Sequence, residues 1–368
     1  MLEDFHLEQI VAPLQDWFLS HARVLPWRDQ PTAYAVWISE IMLQQTRVEA
    51  VKPYFERFMK ELPDVQALAK CPEDRYLKLW EGLGYYNRVR NLNTAARQIV
   101  EKYEGVIPDD YEKLITLKGI GSYTAGAIAS IAYNKPVPAV DGNVLRVISR
   151  VSGDDSDIMK QSVRKRMEQR LAELMQNNEV VPRVFNQALM ELGAMVCVPN
   201  GAPHCEACPW SSFCEAHLQG RTGELPVKSK AKARRIEKRT VFIIRDGDKV
   251  AIRKRENKGL LAGLYELPNY EGHMTQEEAL VCVKKLGYAP IRIKPLSDAK
   301  HIFSHVEWHM KAYAVLIEEG QQTKEDSLLF VEAEDARERY AIPSAFERYA
   351  DYMNIKIGSR AVREDARQ

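Results

Sequence analysis

The chain has 368 residues, of which 45% are hydrophobic and 28% charged, and its formal net charge is +1. This length predicts two domains of ordinary size, and the composition is typical of a soluble globular protein. The balanced charge excludes a chain that is basic throughout, so any surface that binds nucleic acid must be local. Because the chain starts with an acidic stretch and no uncharged apolar run approaches roughly 18 residues, we expect a cytoplasmic protein.

The sequence up to about residue 217 predicts helices, because apolar residues recur three and four positions apart. A short polar and aromatic segment, Leu25–Asp29, precedes a strong helix predicted over Ala33–Val48. Glu40 lies on the apolar stripe of that helix beside Val36 and Trp37, where lost solvation would raise the pKa of its carboxyl group. A glutamate on a helix is more commonly a solvated surface charge. Both interpretations, a catalytic residue and a surface charge, therefore stay open.

The segment Leu83–Arg90 mixes aromatic side chains with arginines after another predicted helix. Aromatic rings beside cations suit contacts with the bases and phosphates of nucleic acid. A helix junction that carries surface charges has the same composition. The sequence by itself favours neither of these two interpretations.

Glycines separate two helical patterns at Leu117–Gly121, and Ser122 or Tyr123 begins the second of them. Gly119 and Gly121 allow a very tight turn, because glycine adopts backbone angles that are closed to other residues. The unpaired N–H groups at the start of the following helix attract anions, above all phosphate. An ordinary turn between helices is the alternative, and the glycine pattern alone favours it.

Asp141 follows a break at Pro136 and Pro138 and is predicted to begin the next helix, within Val140–Asn143. An aspartate in this position is commonly a helix N-cap, whose carboxylate accepts hydrogen bonds from backbone N–H groups. Such hydrogen bonds would keep Asp141 ionised, so capping does not conflict with a catalytic role.

Four of the six cysteines lie close together, and we predict that they bind a metal centre rather than form disulfides. They are Cys197, Cys205, Cys208 and Cys214. Four thiolates are the ligand set of a [4Fe–4S] cluster. Structural zinc is the alternative, although it usually takes two separate Cys-x-x-Cys pairs, and only Cys205 and Cys208 form one here.

Residues 218–238 change in character, because glycines and Pro226 break regular structure and a run of cations follows. The run predicts an exposed basic linker that lies along phosphates, and a merely solvated tether is the alternative. Its basic residues are Lys228, Lys230, Lys232, Arg234, Arg235 and Lys238.

From residue 239 the apolar periodicity shortens to that of strands. Asp246–Asp248 predicts a hairpin turn, and further strands are expected at Arg292–Lys294 and Met310–Ile317. Helices are expected near 275–286 and 343–353. The sequence therefore predicts an α+β domain at the end of the chain.

Several stretches resemble known families. LKGIGSYTAGAIA and VDGNVLR resemble the helix-hairpin-helix and aspartate signature of the endonuclease III superfamily of DNA glycosylases, and LPWR and SEIMLQQT resemble its adenine-specific branch. GLLAGLYELPN and EEALVCVKKLG resemble the Nudix fold. Working Nudix hydrolases carry magnesium-binding glutamates where this chain has Lys284 and Lys285, so we expect diphosphate hydrolysis to be lost.

The resemblance implies an all-α helix-hairpin-helix glycosylase domain with an iron–sulfur loop over 1–217. It implies a linker over 218–238 and a Nudix-like 8-oxoguanine recognition domain over 239–368. One [4Fe–4S] cluster per chain would bind the four cysteines, although the segment between Cys197 and Cys205 is one residue longer than in the family. The protein would be a monomer that binds double-stranded DNA.

The implied activity is base-excision repair, in which adenine mispaired with 8-oxoguanine or guanine is removed by hydrolysis of its N-glycosidic bond. Glu40 would protonate the flipped adenine and then activate water. Asp141 would stabilise the cationic sugar, either electrostatically or by transient covalent attachment. Tyr123, the third residue of this catalytic group, fills the slot in which the lyase branch carries a nucleophilic lysine.

Further residues receive a role only through the resemblance. The adenine pocket would be lined by Trp27, Arg28, Asn143 and Gln187. DNA would be bound by Gln45, Thr46, Tyr85, Lys118, Gly119, Gly121 and Ser122, with Gln45 and Tyr85 wedged beside 8-oxoguanine. The loop Phe303, Ser304 and His305 would recognise 8-oxoguanine, whereas composition alone favours a loop with one buried phenylalanine.

Two other functions stay open at this point. A bifunctional glycosylase and lyase for oxidised pyrimidines has the same fold, but a phenol at Tyr123 cannot form a Schiff base. A non-catalytic iron–sulfur DNA-binding protein would keep the hairpin and the cysteines and would need neither Glu40 nor Asp141.

Overall fold

A computed structural model provides the structure of the protein, and it describes residues 2, 4–29, 31–229, 233–320 and 328–353. The chain divides into two compact units. The first unit comprises Met1–Lys70 and Asn91–Lys230, and the second comprises Cys71–Arg90 and Ala231–Gln368. A segment of the part predicted to be helical therefore groups with the second unit, while the domain boundaries at 217 and 238 stay a prediction.

Helices form the chain up to residue 218, as predicted. In chain order they are α1 (Val11–His21), α2 (Pro26–Asp29), α3 (Ala33–Leu43), α4 (Val48–Glu61), α5 (Val65–Lys70), α6 (Glu73–Leu79), α7 (Asn87–Tyr103), α8 (Tyr111–Leu114), α9 (Ser122–Ala127), α10 (Gly142–Val151), α11 (Gln161–Leu174), α12 (Pro182–Met195) and α13 (Glu215–Leu218). Turns of 3-10 helix lie at Leu7–Ile10 and Cys205–Ala207, and a π-helix, Ile128–Ala132, continues α9. Within the described residues, no helix is both long and apolar enough to cross a membrane.

The helix predicted over Ala33–Val48 is wrong in its length, because α3 ends at Leu43 and α4 begins at Val48. Thr32 caps the start of α3 by accepting a hydrogen bond from the N–H of Ala35 at 3.1 Å. The polar residues after Leu43 extend no apolar stripe, and Gln45 turns the chain with a φ of 60°. A left-handed backbone at a residue other than glycine costs on the order of 1–3 kcal/mol.

The core of the first unit forms where α10 and α12 pack together and α1 packs on α12. The apolar residues of α12 that enter it, Phe185, Leu189 and Leu192, are fully buried and recur three and four positions apart. Burial of each such side chain contributes roughly 1.5–3 kcal/mol. This packing fixes the two helices that carry much of the candidate site.

Gly119 gives the turn between α8 and α9 its left-handed backbone, with a φ of 78°, and a Cβ there would lie 2.6 Å from the Cβ of Asn91. The expectation was wrong for Gly121, which caps α9 with a φ of −97° that any residue can adopt. A Cβ on Gly126 would collide with the carbonyl oxygen of Pro138. Gly126 therefore lets the chain that leads to Asp141 pass directly over α9.

A mixed sheet organises the second unit, in the strand order β3-β2-β1-β6-β5 with β4 beside β1 and β7 beside β2. The strands are β1 (Arg235–Asp246), β2 (Lys249–Lys254), β3 (Tyr265–Glu266), β4 (Asn269–Glu271), β5 (Pro290–Ile302), β6 (Val306–Ile317) and β7 (Leu328–Val331). Strand β6 runs parallel to β1 on one side and antiparallel to β5 on the other. The predicted hairpin is present, with Asp246 paired to Lys249.

Side chains of β1 alternate between two cores, because successive residues of a strand point to opposite faces. Val241 and Ile243 lie in one core, and Phe242 and Ile244 lie in the other. Helices cover both faces. The helix predicted near 275–286 is α14 (Gln276–Lys285), which packs in the core of Phe242. The core of Val241 contains α15 (Ala333–Arg339), which was not predicted, and the 3-10 helix Ser344–Tyr349 and α16 (Ala350–Met353), where a helix was expected near 343–353. The second unit is thus the expected α+β fold.

Two features of this unit differ from expectation. Strands β5 and β6 are longer than the predicted segments and meet at Phe303–His305, where the N–H of Phe303 donates to the carbonyl of Val306 at 2.8 Å. Those three residues therefore form the tip of a β hairpin. Strand β1 begins at Arg235, inside the predicted linker, and Lys230 and Lys232 of that linker lie outside the described residues.

Candidate active site

A cavity of about 610 Å³ opens in the first unit among α2, α3, α9, α10 and α12. It brings together both predicted carboxyl groups and every residue predicted for the adenine pocket. The predicted residues that line it are Trp27, Arg28, Glu40, Gln45, Thr46, Tyr123, Asp141, Asn143 and Gln187. These residues come from well-separated parts of the sequence, so the cavity is created by the packing of the helices.

Glu40 is buried on α3, with 7% of its surface exposed. Burial raises the pKa of its carboxyl group to about 7, and the charge of Asp141 adds to the rise. The hydroxyl of Tyr123 donates a hydrogen bond to Glu40 Oε2, which together with Arg28 opposes that rise. A carboxyl group in this state can carry a proton near neutral pH and release it to a bound molecule.

Tyr123 lies on the first turn of α9, so the hairpin delivers its hydroxyl into the cavity. The hydroxyl also lies 3.2 Å from the sulfur of Met190. Burial raises the pKa of Tyr123 well above its usual value, and the charges of Glu40 and Asp141 contribute. The phenol therefore stays protonated and acts as a hydrogen-bond donor.

Asp141 caps α10 as predicted. Its Oδ1 accepts hydrogen bonds at 2.8 Å from the N–H groups of Asn143 and Val144, and its Oδ2 accepts one at 2.7 Å from the side chain of Asn143. The prediction that capping controls its ionisation needs correction, because burial raises the pKa of Asp141 against these hydrogen bonds and Arg146. The carboxylate is nevertheless the form that can accept all three hydrogen bonds.

Asn143 also connects Asp141 to the rest of α10 and to α12. Its side-chain oxygen accepts a hydrogen bond at 2.9 Å from Arg146, which in turn donates to the carbonyls of Gly193 at 2.7 Å and Cys197 at 2.8 Å. A Cβ on Gly193 would lie 2.7 Å from the Cβ of Asn143. The orientation of Asp141 thus depends on close packing of these two helices.

Glu191 was not singled out from the sequence, although it lines the cavity and binds two arginines there. It is 1% exposed and binds Arg23 Nε at 2.7 Å and Arg28 Nη2 at 2.9 Å. Burial acts to raise the pKa of Glu191, but the hydrogen bonds from Arg23 and Arg28 lower it to about 2. Its position four residues after Gln187, on the same face of α12, was a signal that the sequence contained.

The remaining predicted pocket residues are held by the surrounding helices. Trp27 packs edge-on against Phe55, with ring centroids 5.4 Å apart. Gln187 donates from Nε2 to the carbonyl of Arg183 at 3.0 Å. Trp27 therefore presents an apolar wall and Gln187 a polar one to the same cavity.

The hairpin residues Lys118, Gly119, Gly121 and Ser122 do not line this cavity but lie in the turn before α9 and at its start. Lys118 is exposed, and its N–H donates to Gln98 Oε1 at 2.8 Å. Ser122 donates from its hydroxyl to Glu168 at 3.1 Å. The first N–H groups of a helix have no partner within it, so the turn presents backbone donors at its surface.

The second unit brings Tyr85 and Ser304 together, 219 positions apart in the sequence, with their hydroxyl oxygens 2.8 Å apart. Both side chains are exposed, and Tyr85 has a φ of 47°. Arg88 is turned inward and donates to the carbonyls of Leu83 and Gly84, and burial lowers its pKa to about 10. Arg88 therefore braces the turn, while Tyr85 faces solvent.

The tip of the β5–β6 hairpin exposes two of its three predicted residues. Phe303 is wedged edge-on between His301 and Trp308, with centroid distances of 4.6 and 5.0 Å. Ser304 and His305 are exposed. Phe303 can thus hold the hairpin tip in place while Ser304 stays exposed and able to contact a base, so the two interpretations of this loop are compatible.

The four clustered cysteines line one small cavity, together with Arg150. Arg150 Nη1 lies 3.3 Å from Cys197 Sγ, and burial raises the pKa of Cys208 to about 12. No group of three or more His, Cys, Asp or Glu residues in the described ranges is arranged to hold a single metal ion. The longer segment Val198–His204 closes through the N–H of His204 on the carbonyl of Val196, with Gly201 at a φ of 77°.

Comparisons with known proteins agree with this geometry. A model of the HhH-GPD superfamily, described as base excision DNA repair protein, matches residues 38–173, and a NUDIX domain model matches 240–352. An adenine DNA glycosylase of Rattus norvegicus is 34% identical over 363 residues, an alignment that covers 83% of this chain and 70% of that protein. The chain belongs to the adenine DNA glycosylase family.

Two further matches extend this result. The adenine DNA glycosylase of Buchnera aphidicola subsp. Acyrthosiphon pisum is 34% identical over 298 residues, which cover 80% of this chain and 83% of that protein. A solved structure of a thermostable thymine-DNA glycosylase is 27% identical and covers 58% of this chain and 97% of that chain, with a TM-score of 0.51.

Membership of the adenine DNA glycosylase family confirms the predicted fold class, a helix-hairpin-helix glycosylase fold followed by a Nudix-like one. It also confirms that the protein is a base-excision repair enzyme, an adenine DNA N-glycosylase. The two alternative functions gain no support from these relatives. The roles of individual residues stay predictions.

Proposed function

We propose that the enzyme removes adenine paired with 8-oxoguanine or guanine in duplex DNA, as a monomer and without strand cleavage. The observation that carries this proposal is the carboxyl pair in the cavity: Glu40, whose pKa is raised to about 7, beside Asp141, which accepts three hydrogen bonds. One group can donate a proton while the other carries negative charge.

In the proposed reaction, adenine leaves the duplex and enters the cavity, since a base inside a stacked helix cannot be reached. Glu40 gives its proton to adenine N7, and the electron pair of the N-glycosidic bond moves to the departing base. Asp141 stabilises the cationic sugar. Glu40, now ionised, takes a proton from the water that adds to the sugar. The hydrogen bond from the Tyr123 hydroxyl stabilises the Glu40 carboxylate.

Trp27, Arg28, Gln187 and Asn143 would surround the base. The ion pair with Glu191 fixes Arg28 at the cavity wall, so the guanidinium is already oriented when adenine arrives. Asn143 would act mainly on Asp141, because its amide donates to that carboxylate.

The turn of Lys118–Ser122 supports binding to the DNA backbone, because it presents a cation and helix N-terminal N–H groups. The space beside Gly121 is open to a phosphate, since a Cβ there would meet no atom within 4 Å. Gln45, with Thr46 beside it, would enter the duplex, and the left-handed backbone of Gln45 supports a functional role for that turn.

Recognition of 8-oxoguanine is proposed for Ser304 and His305, with Tyr85 stacked beside the base. 8-Oxoguanine differs from guanine by an N7–H donor and an O8 acceptor, and a serine hydroxyl can accept from the first. The support is that Ser304 and Tyr85 are exposed and adjacent. Phe303 would hold the hairpin tip in shape.

The four cysteines would hold one [4Fe–4S] cluster, because four thiols of one loop line the same cavity. When bound, the cluster would order the loop of residues 197–214.

In the second unit, α14 ends with Lys284 and Lys285, and Glu278 is engaged in a capping box with Thr275, which supports loss of diphosphate hydrolysis.

An excision assay on a duplex with adenine opposite 8-oxoguanine tests the proposal. The wild-type enzyme should release adenine and leave an abasic strand that breaks only after alkali treatment. Strand cleavage without alkali would indicate a lyase, and no adenine release would indicate a non-catalytic protein.

A further inference from the structure

A buried ion pair in the second unit has no part in the proposed chemistry. Lys78 lies in the last turn of α6 and Glu81 just after the helix, and their side chains are only 13% and 6% exposed. The ammonium of Lys78 lies 2.6 Å from Glu81 Oε2. Burying two charges costs free energy that their attraction rarely returns in full, so such a pair has its best-attested use in fixing one arrangement.

The pair ties the end of α6 to α15 and to the segment that follows α15 in the same unit. Lys78 also donates to the carbonyls of Ala336 at 3.3 Å and Tyr340 at 3.0 Å. The N–H of Ile342 donates to Glu81 Oε1 at 2.8 Å. Each charge therefore holds backbone groups that are distant in sequence, and a shift of α6 against that segment would break all of these hydrogen bonds together.

Glu81 stands four residues before Tyr85, and hydrogen bonds brace the turn between them. Gly82, Gly84 and Tyr85 all have positive φ angles. The indole of Trp80 and the guanidinium of Arg88 both donate to the carbonyl of Gly84, at 3.1 and 3.0 Å. The position of Tyr85 is thus transmitted from Glu81 through a braced backbone.

The other end of this arrangement is the hydrogen bond between Tyr85 and Ser304. Ser304 is carried by the β5–β6 hairpin, whose strands belong to the sheet of the same unit. Tyr85 and Ser304 can face one base together only if the Tyr85 turn is held in a fixed position relative to that hairpin.

We propose that Lys78 and Glu81 are positioning residues for reading the base opposite adenine: their ion pair holds the Tyr85 turn beside Ser304. The inference rests on the proposed recognition of 8-oxoguanine by Ser304. It assigns no role in bond cleavage to either residue, so loss of the pair should weaken the distinction between opposite bases and leave excision opposite guanine nearly unchanged.

The test compares single-turnover excision of adenine opposite 8-oxoguanine and opposite guanine, and the ratio of these rates is the preference. The double variant Lys78→Met, Glu81→Gln removes the ion pair without leaving one charge alone, and the new amide oxygen can still accept from the N–H of Ile342. We expect it to lower the preference roughly 2- to 10-fold, a coupling typical of residues in one network. If this variant does not accumulate, Lys78→Gln, Glu81→Gln is used, since it also leaves no charge alone and the amide at position 78 can still donate to a backbone carbonyl.

Lys254→Met is the matched control, because Lys254 forms an exposed ion pair with Asp74 in the same unit. It should leave the preference unchanged. The ion-pair variant is also combined with Ser304→Ala, and because the pair acts through Ser304, the combination should be no worse than Ser304→Ala alone.

An unchanged preference in the ion-pair variant, with a lower one in Ser304→Ala, would overturn the inference and leave the proposed recognition intact. A loss that adds to that of Ser304→Ala would also overturn it, since the pair would then act elsewhere. If Ser304→Ala itself has no effect on the preference, the proposed recognition and the inference fail together.

Discussion

The cavity of the first unit and the Tyr85–Ser304 surface of the second unit provide two different chemical environments. In the cavity, burial raises the pKa values of Glu40 and Asp141, and hydrogen bonds from the protein oppose that rise and fix the orientation of both carboxyl groups. Tyr85 and Ser304 are exposed and bonded to each other, so they can exchange that partner for a ligand. Proton transfer needs the first environment, and reading a base needs the second.

This contrast predicts that changes in the cavity alter rate and changes at the surface alter selectivity. The largest effect is expected for Glu40→Gln, which keeps the shape but has no acid proton. General acid catalysis is worth roughly 10²–10⁴-fold, so single-turnover excision should fall at least that far. Duplex binding, measured by fluorescence anisotropy, should survive.

The stability of the same variant provides its control. Because the pKa of Glu40 rises from 4.5 to about 7 on folding, its ionisation destabilises the folded protein as pH rises through that window. The cost at pH 8 is roughly 3 kcal/mol at about 1.36 kcal/mol per pH unit. Glu40→Gln should therefore unfold at a higher temperature than wild type at pH 8. Near-normal turnover in a folded variant would remove Glu40 from the mechanism.

The four clustered cysteines lie in the same unit as the cavity of Glu40. Loss of the proposed cluster should weaken DNA binding. Protein isolated without oxygen should be brown and contain about four irons per chain. Cys208→Ser should lose iron and DNA affinity together, as measured by metal analysis and anisotropy, whereas Cys71→Ser, outside the cluster, should retain both. One zinc and no iron per wild-type chain would contradict the cluster.

A smaller and selective effect is expected at the hairpin tip. Replacing both Ser304 and His305 with alanine should slow excision opposite 8-oxoguanine much more than opposite guanine. One base contact is worth roughly 1–3 kcal/mol of discrimination. The step on bound substrate should stay almost unchanged. Equal slowing of both substrates would make the loop structural and move recognition to Gln45, Tyr85 or elsewhere.

Tyr123→Lys tests the alignment of α9 with the lyase branch. We expect only a minor fraction of this variant to form a covalent adduct with DNA. A lysine there should form a borohydride-stable adduct with abasic product, visible as a shifted band on a denaturing gel. The amine must lose its proton to attack, which requires an environment that lowers its pKa. Absence of any trapped complex would cast doubt on the position assigned to Tyr123.

The sequence predicted what local patterns encode. Glu40 stood out because it interrupts an apolar stripe, and Asp141 because it starts a helix after two prolines. Both lie in the same cavity as expected. The alternation of β1 and the Asp246–Asp248 turn likewise predicted the strands that form the centre of the sheet.

What the sequence could not supply depends on contacts between distant segments. The spacing from Gln187 could place Glu191 on the cavity face of α12, but no local pattern indicates that it binds Arg23, 168 positions away. Arg88 looked suited to phosphates, but the backbone of its own turn binds it. The end of α3 at Leu43 was missed because apolar residues resume in α4 with a compatible spacing.

The pH dependence of single-turnover excision, measured opposite 8-oxoguanine and opposite guanine, most directly tests the separation of chemistry from recognition. Since Glu40 must be protonated to act, both rates should fall about tenfold per pH unit above its pKa of about 7, with an unchanged ratio between them. Rates that stay flat between about pH 6 and 9, or a preference that changes with pH while Glu40 titrates, would contradict it.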